Sequence, residues 1–133
     1  MRPAARPVSL LALLGLLVSP ACGSGPATAT PAGPPAAAAR IGLIEWEITA
    51  SAPALVAGPV TLTVTNAGTT AHDLRLRTRR GDVHLGVLAP GQTSLLQADL
   101  TGERTVQLTC TVAGHRQQGM DRHIPVAPPS EPR

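Results

Sequence analysis

Hydrophobic and polar residues alternate with a period of two through much of this chain after its first third. From Pro59 to Asn66, Val60, Leu62 and Val64 point one way and Thr61, Thr63 and Thr65 the other. That is the mark of a strand with one buried face. The same period sets Ile44, Trp46 and Ile48 against Glu45 and Glu47, Val83, Leu85 and Val87 against His84 and Gly86, and Leu96, Ala98 and Leu100 against Gln97 and Asp99. Each run reads as a strand, and Ile124 and Val126 belong to a last one. Ser51 to Ala57 reads as a short helical turn or an irregular loop. Turn-forming residues separate the runs at Asn66-Ala-Gly68, Arg80-Gly-Asp82, Pro90-Gly91 and Thr101-Gly102. Several short strands at this spacing leave no room for a βαβ unit, so the pattern predicts an all-β sandwich or barrel.

Two further strands place chemistry on the buried face. Between Ala71 and Arg77, His72 shares a face with Leu74 and Leu76, while Asp73, Arg75 and Arg77 share the other. Between Arg104 and Cys110, Cys110 shares a face with Val106 and Leu108. His72 opens its strand and Cys110 closes its own. If the two are antiparallel neighbours, both side chains point inward at the same pole of the domain.

The first third of the chain has a different character. Arg2 and Arg6 precede an apolar run from Val8 to Val18, and Ser19-Pro-Ala21 ends it on small residues. This is the pattern of an export signal over residues 1–21. The run is too short for a permanent membrane span. Cys22 follows directly and resembles the lipobox cysteine of bacterial lipoproteins, which becomes lipid-modified. Residues 22–39, rich in Pro, Ala and Gly, form a low-complexity linker. At full extension it reaches about 50 Å at ~3.1 Å per residue. The domain proper then runs from Arg40 to Ala127, with a disordered tail at 128–133. The expected location is the outer face of the cytoplasmic membrane, held by the lipid on Cys22, or the periplasm or exterior without it.

Charge narrows the partners. Loss of Arg2 and Arg6 with the leader takes the formal charge from +3 to +1. No basic field remains to attract nucleic acid. Arg75, Arg77, Arg79 and Arg80 read as a solvated face. Glu45, Glu47 and Asp82 are scattered charges without an acid–base pairing, and Ser94 has no histidine at a suggestive spacing. His84 and His123 fall on outward faces.

One stretch remains, Cys110-Thr-Val-Ala-Gly-His115-Arg-Gln-Gln-Gly-Met120. It reads C-x4-H-x4-M, with Gly114 and Gly119 placed to let the loop bend tightly. Taken singly, Cys110 could be an inert buried thiol or the partner of Cys22 in a disulfide, His72 a core histidine and Met120 core filler. Taken together, thiolate, imidazole and thioether with a second inward imidazole make the donor set that a trigonal blue-copper site uses. The chain has four histidines and, apart from Cys22, one cysteine. Those numbers do not supply the extra histidines of a copper oxidase or nitrite reductase, nor the second loop cysteine of a dinuclear copper site. A non-enzymatic protein is expected.

Asn66-Ala-Gly-Thr-Thr-Ala-His72-Asp, Leu88-Ala-Pro-Gly91 and the Cys110–Met120 loop occur in an order that resembles the cupredoxins, the plastocyanin and azurin family. The loop is most like that of the sulfocyanin type. The resemblance implies a Greek-key β-sandwich and one type 1 copper ion ligated by His72, Cys110, His115 and Met120. It implies a monomeric one-electron carrier that exchanges electrons with redox partner proteins through His115. Copper sensing or buffering in the cell envelope is the alternative. The chain departs from the family in three ways. Asp73 stands where many members have an asparagine that braces the cysteine loop. Thr105 or Val106 stands near a usual tyrosine. There is no Phe or Tyr and one Trp, so Leu, Val and Ile must build the core.

Overall fold

Nine strands and one helical turn follow one another along residues 31–129, the part of the chain that the computed structural model describes. The export signal, Cys22 and the first half of the linker lie outside the described residues, as do residues 130–133. The strands are β1 (Ala38–Ile44), β2 (Glu47–Ala50), β3 (Leu55–Val56), β4 (Pro59–Asn66), β5 (His72–Thr78), β6 (Gly81–Leu88), β7 (Thr93–Asp99), β8 (Thr105–Thr109) and β9 (Asp121–Ala127). A single helical turn, α1 (His115–Gln118), lies between the last two.

They form two sheets, ordered β2-β1-β4-β7 and β3-β9-β8-β5-β6. β1 runs parallel to β4 and β3 parallel to β9, while the other pairs are antiparallel. The chain therefore crosses between sheets, as the Greek-key expectation requires. Their inner faces meet in one aliphatic core that includes Ile41, Leu43, Leu62, Leu74, Leu76 and Leu108. The periodicity of β4, β7, β8 and β9 translates directly into burial: Val60, Leu62, Val64, Leu96, Val106, Leu108, Ile124 and Val126 all point inward.

Three local readings change. The expected strand through Ile44, Trp46 and Ile48 is instead the end of β1, a tight turn at Glu45–Trp46, and the start of β2, with Ile44 paired to Glu47. Alternation in residue type cannot distinguish a straight strand from a hairpin whose turn happens to continue the period. Leu55 and Val56, expected in a loop, pair with Val126 and Ala127 as β3. β1 also takes in Ala38 and Ala39, residues whose composition had placed them with the linker; they pair with Thr61 and Leu62 of β4.

The fourth change lies beside the site. In β6 the alternation breaks at Gly86, whose φ is 87°. Asp73 pairs with Val87 but Arg75 pairs with His84, so β6 carries one extra residue. Such a bulge flips the faces on either side of it. Val87, expected in the core with Val83 and Leu85, stands 65% exposed, and Leu88 takes the inward position. Among the described residues no helix is long and apolar enough to cross a membrane.

Candidate metal centre

His72 and Cys110 meet because β5 and β8 are antiparallel neighbours, with Arg75 opposite Thr109 and Arg77 opposite Gln107. The start of one strand thus lies beside the end of the other. Beyond Cys110 the chain turns through Gly114, with φ of 83°, into α1 and leaves it through Gly119, with φ of 128°. Backbone hydrogen bonds close the loop on itself. The Cys110 N–H donates to the Met120 carbonyl at 3.1 Å, and the Met120 N–H to the His115 carbonyl at 3.2 Å. Cys110, Met120 and His72 are fully buried, and His115 is 8% exposed.

Three donor atoms converge in this pole, the one such group among the described residues. His72 Nδ1 lies 3.1 Å from His115 Nδ1, and Cys110 Sγ lies 3.5 Å from His115 Nδ1 and 3.9 Å from His72 Nδ1. A triangle with those sides has its centre about 2.1 Å from every corner. Metal–imidazole bonds are about 2.0 Å and metal–thiolate bonds about 2.3 Å in zinc sites with the same donors. The triangle therefore has the size of one metal ion's trigonal coordination plane. Met120 is buried and bonded through its backbone to both Cys110 and His115. The donor set fits a type 1 copper ion, which takes two imidazoles, a thiolate and a weak axial thioether.

The turn that delivers His72 is held by Asn66, which is fully buried. Its amide donates to the Thr70 carbonyl at 2.8 Å and the Leu88 carbonyl at 2.9 Å, and its side-chain oxygen accepts from the Gly68 N–H at 3.0 Å. The Asn-Ala-Gly signal thus marks more than a bend: it ties the His72 turn to the end of β6.

Asp73 is not on a solvated face as its parity predicted. It points outward, but the cysteine loop and His84 cover it and leave it 3% exposed. Its carboxylate accepts from both the N–H and the hydroxyl of Thr111, and from His84 Nε2 at 3.0 Å. Burial alone would raise the Asp73 carboxyl, but these hydrogen bonds outweigh it and hold the group below the usual carboxylate range. Asp73 therefore braces the cysteine loop by acceptance alone. Burial pushes the Cys110 thiol up, and the neighbouring Asp73 charge adds to the shift. Metal uptake must then displace a thiol proton. Replacing Asp73 by Ala strands the Thr111 donors and should cost about 1–3 kcal/mol of stability in urea unfolding. Asp73→Asn, which keeps an acceptor for the Thr111 N–H, should cost less.

Two residues of the β1–β2 turn reach the same pole, and the sequence had signalled neither. Trp46 packs edge-on against His115, with ring centroids 4.8 Å apart, and is 37% exposed. A Cβ on Gly119 would lie 2.7 Å from the Trp46 carbonyl oxygen, so only glycine lets the loop pass beneath the turn. Glu45 accepts from Thr69, Thr70 and His72. The Thr70 N–H is the main cause that holds its carboxyl down at about 2. His84 and His123 stay outside the site on exposed positions, as their parity predicted. The expected Arg face is largely paired: Arg75 and Arg77 lie near Asp82, and Arg80 contacts Asp99 at 2.9 Å.

No protein-family model matches the chain, and neither does any curated protein. Solved structures do. A dithionite-reduced auracyanin from the photosynthetic bacterium Roseiflexus castenholzii superposes with a TM-score of 0.58 at 17% identity, over 71% of this chain and 100% of its own. Auracyanin B does so with a TM-score of 0.59 at 15% identity, over 76% and 96%. A multicopper oxidase matches with a TM-score of 0.54 at 20% identity, over 68% of this chain, which spans only 42% of the oxidase. At these identities the likeness shows the fold. The chain is built on the cupredoxin fold, and the His72–Cys110–His115 cluster at its pole fits a type 1 copper site.

Proposed function

We propose that this protein is a one-electron carrier whose redox centre is a single copper ion held by His72, Cys110, His115 and Met120. The observation that carries the reading is the convergence of His72 Nδ1, Cys110 Sγ and His115 Nδ1 into a triangle of metal-binding size. Soft thiolate and thioether suit the cuprous state and imidazole suits both states, so a bound copper ion supplies reversible one-electron chemistry. The chain's part is to hold its donors still. The β5–β8 pairing, the Asp73–Thr111 brace and the closed Cys110–Met120 loop leave them little freedom to rearrange when the charge changes. The dithionite-reduced auracyanin among its structural neighbours is consistent with such a role.

Redox partner proteins dock over His115, beside the exposed Ala113 and Gly114. The domain works as a monomer on the outer face of the cytoplasmic membrane, tethered through a lipid on Cys22. The support for that placement is the leader, the lipobox-like cysteine and the linker. A charged side chain at the rim changes encounter with a partner more than it changes the site itself. Ala113→Glu should therefore leave copper and its visible spectrum in place. It should slow electron exchange with an acidic redox protein about tenfold at low salt, as read by stopped-flow absorbance.

The test of the whole reading is to add Cu(II) to the purified domain and record the visible spectrum. An intense thiolate-to-copper band followed by a reversible voltammetric wave supports a carrier. A colourless product overturns the copper site. A coloured protein without a reversible wave favours buffering or sensing over electron transfer.

A further inference from the structure

We propose that Glu45 is the positioning residue for His72, fixing which imidazole nitrogen faces the metal. The inference rests on the copper reading of the site and extends it to a residue outside the ligand set. Glu45 lies in the β1–β2 turn, remote in sequence from every ligand. Its Oε1 accepts from the Thr69 N–H at 2.8 Å, the Thr70 N–H at 2.8 Å, the Thr70 hydroxyl at 2.9 Å and His72 Nε2 at 3.1 Å. The His72 ring is fully buried, while the Glu45 side chain keeps 22% of its surface. The carboxylate is thus seated in the turn that leads into β5, with one edge in water.

The chemistry of that contact has one direction. An ionised carboxylate only accepts hydrogen bonds, so His72 Nε2 must carry a proton. In a neutral imidazole the other nitrogen, Nδ1, then presents its lone pair. Nδ1 is the atom that faces Cys110 Sγ and His115 Nδ1. Without Glu45, neutral His72 divides between two tautomers, and the one protonated on Nδ1 cannot ligate from that atom. A ligand histidine that gives its far N–H to a carboxylate is a recurrent device for fixing ring orientation and raising donor strength.

The surroundings are shaped for the carboxylate. A Cβ on Gly68 would lie 2.5, 2.8 and 2.9 Å from the Glu45 carboxylate atoms. Glycine at 68 is therefore what lets Glu45 enter the turn. The same Gly68 N–H is held by Asn66, so the turn reaches His72 braced from two sides. The fixed negative charge next to His72 also favours the more positive, oxidised state of the centre.

The experiment compares wild type, Glu45→Gln, Glu45→Ala and Thr70→Val. Nitrogen-15 NMR of the metal-free proteins reads the His72 tautomer directly. The wild type should be protonated on Nε2 alone, and Glu45→Ala should show a mixture. Competition titration should give Cu(II) binding about 10–100-fold weaker in Glu45→Ala. Voltammetry should give a raised midpoint potential in Glu45→Gln, which keeps the acceptor and loses the charge. Thr70→Val removes one donor to Glu45 without touching His72, and should keep the wild-type tautomer and potential. An unchanged His72 tautomer in both Glu45 variants overturns the proposal, whatever the copper affinity. So does a Thr70→Val potential that matches Glu45→Gln, because loosening of the turn would then explain both. If the wild type takes up no copper, the copper reading fails. The tautomers of the metal-free proteins still decide the role of Glu45.

Discussion

Cys110→Ser is expected to abolish the intense visible absorption of the copper-loaded protein completely while leaving the domain folded. The band arises from charge transfer out of a thiolate, and Cys110 is the only cysteine among the described residues. A serine hydroxyl at the same place is a hard donor that does not ionise at neutral pH, so it replaces neither the colour nor the preference for cuprous copper. The substitution should be tolerated by the fold for a local reason. The Cys110 side chain is fully buried, and a buried hydroxyl needs a partner. Two imidazole nitrogens already lie within 3.9 Å of the sulfur. Circular dichroism and urea unfolding of the metal-free variant should stay close to wild type, while copper titration should yield at most the weak absorption of nitrogen and oxygen donors. A persisting intense band in Cys110→Ser would mean that the metal sits elsewhere. His84→Ala is the matched control, since His84 touches Asp73 and stands outside the donor triangle; it should remain coloured.

The second large effect concerns stability. Leu62→Ala should destabilise the metal-free domain by about 2–5 kcal/mol, the usual range for emptying a fully buried leucine site. Leu62 has no exposed surface, and it sits in β4, inside the four-stranded sheet between β1 and β7. The core it belongs to contains no Phe, Tyr or Trp. Aromatic side chains bury more area each than aliphatic ones, so here the burden falls on many leucines, isoleucines and valines. The residues around an emptied site are themselves held in regular strands, which limits collapse into the gap. Small domains have about 5–15 kcal/mol of stability in all, so the loss is a large share. With a urea slope of about 1–3 kcal/mol per molar, the unfolding midpoint should fall by about 1 M or more. A drop of a few tenths would show that the two sheets slide to close the cavity. Because Leu62 lies in the middle of β4, which carries none of the donors, copper-loaded Leu62→Ala should keep its visible band below the unfolding transition.

The donors themselves were legible because each signal is local. A period of two puts every second side chain on one face. That rule alone placed His72 and Cys110 inward at the ends of their strands, where the structure has them. Rare residue types at fixed spacing, with glycines before His115 and Met120, marked the loop. The turn at Asn66-Ala-Gly68 was legible as a turn. That its amide would also reach the Leu88 carbonyl was not, since that partner lies on another strand.

What the sequence could not decide depends on pairing between distant segments. The run from Ile44 to Ile48 keeps its alternation straight through a hairpin, and only the antiparallel partnership of β1 and β2 reveals the turn. The bulge at Gly86 inverts one end of β6, and its cause is the register against β5. Asp73 has the parity of a surface residue and the burial of a core one, because the cysteine loop folds over it. Glu45 and Trp46 read as ordinary strand residues until the β1–β2 turn is laid over the pole that holds His72 and His115. By itself, then, the sequence indicated an all-β domain with His72, Cys110, His115 and Met120 gathered at one end. Only the tertiary structure decided which polar groups brace and cover that end. Side-chain direction along a strand is set by the backbone's own two-residue repeat, whereas the contacts of a turn are set by whichever strands the packed sheets bring beside it.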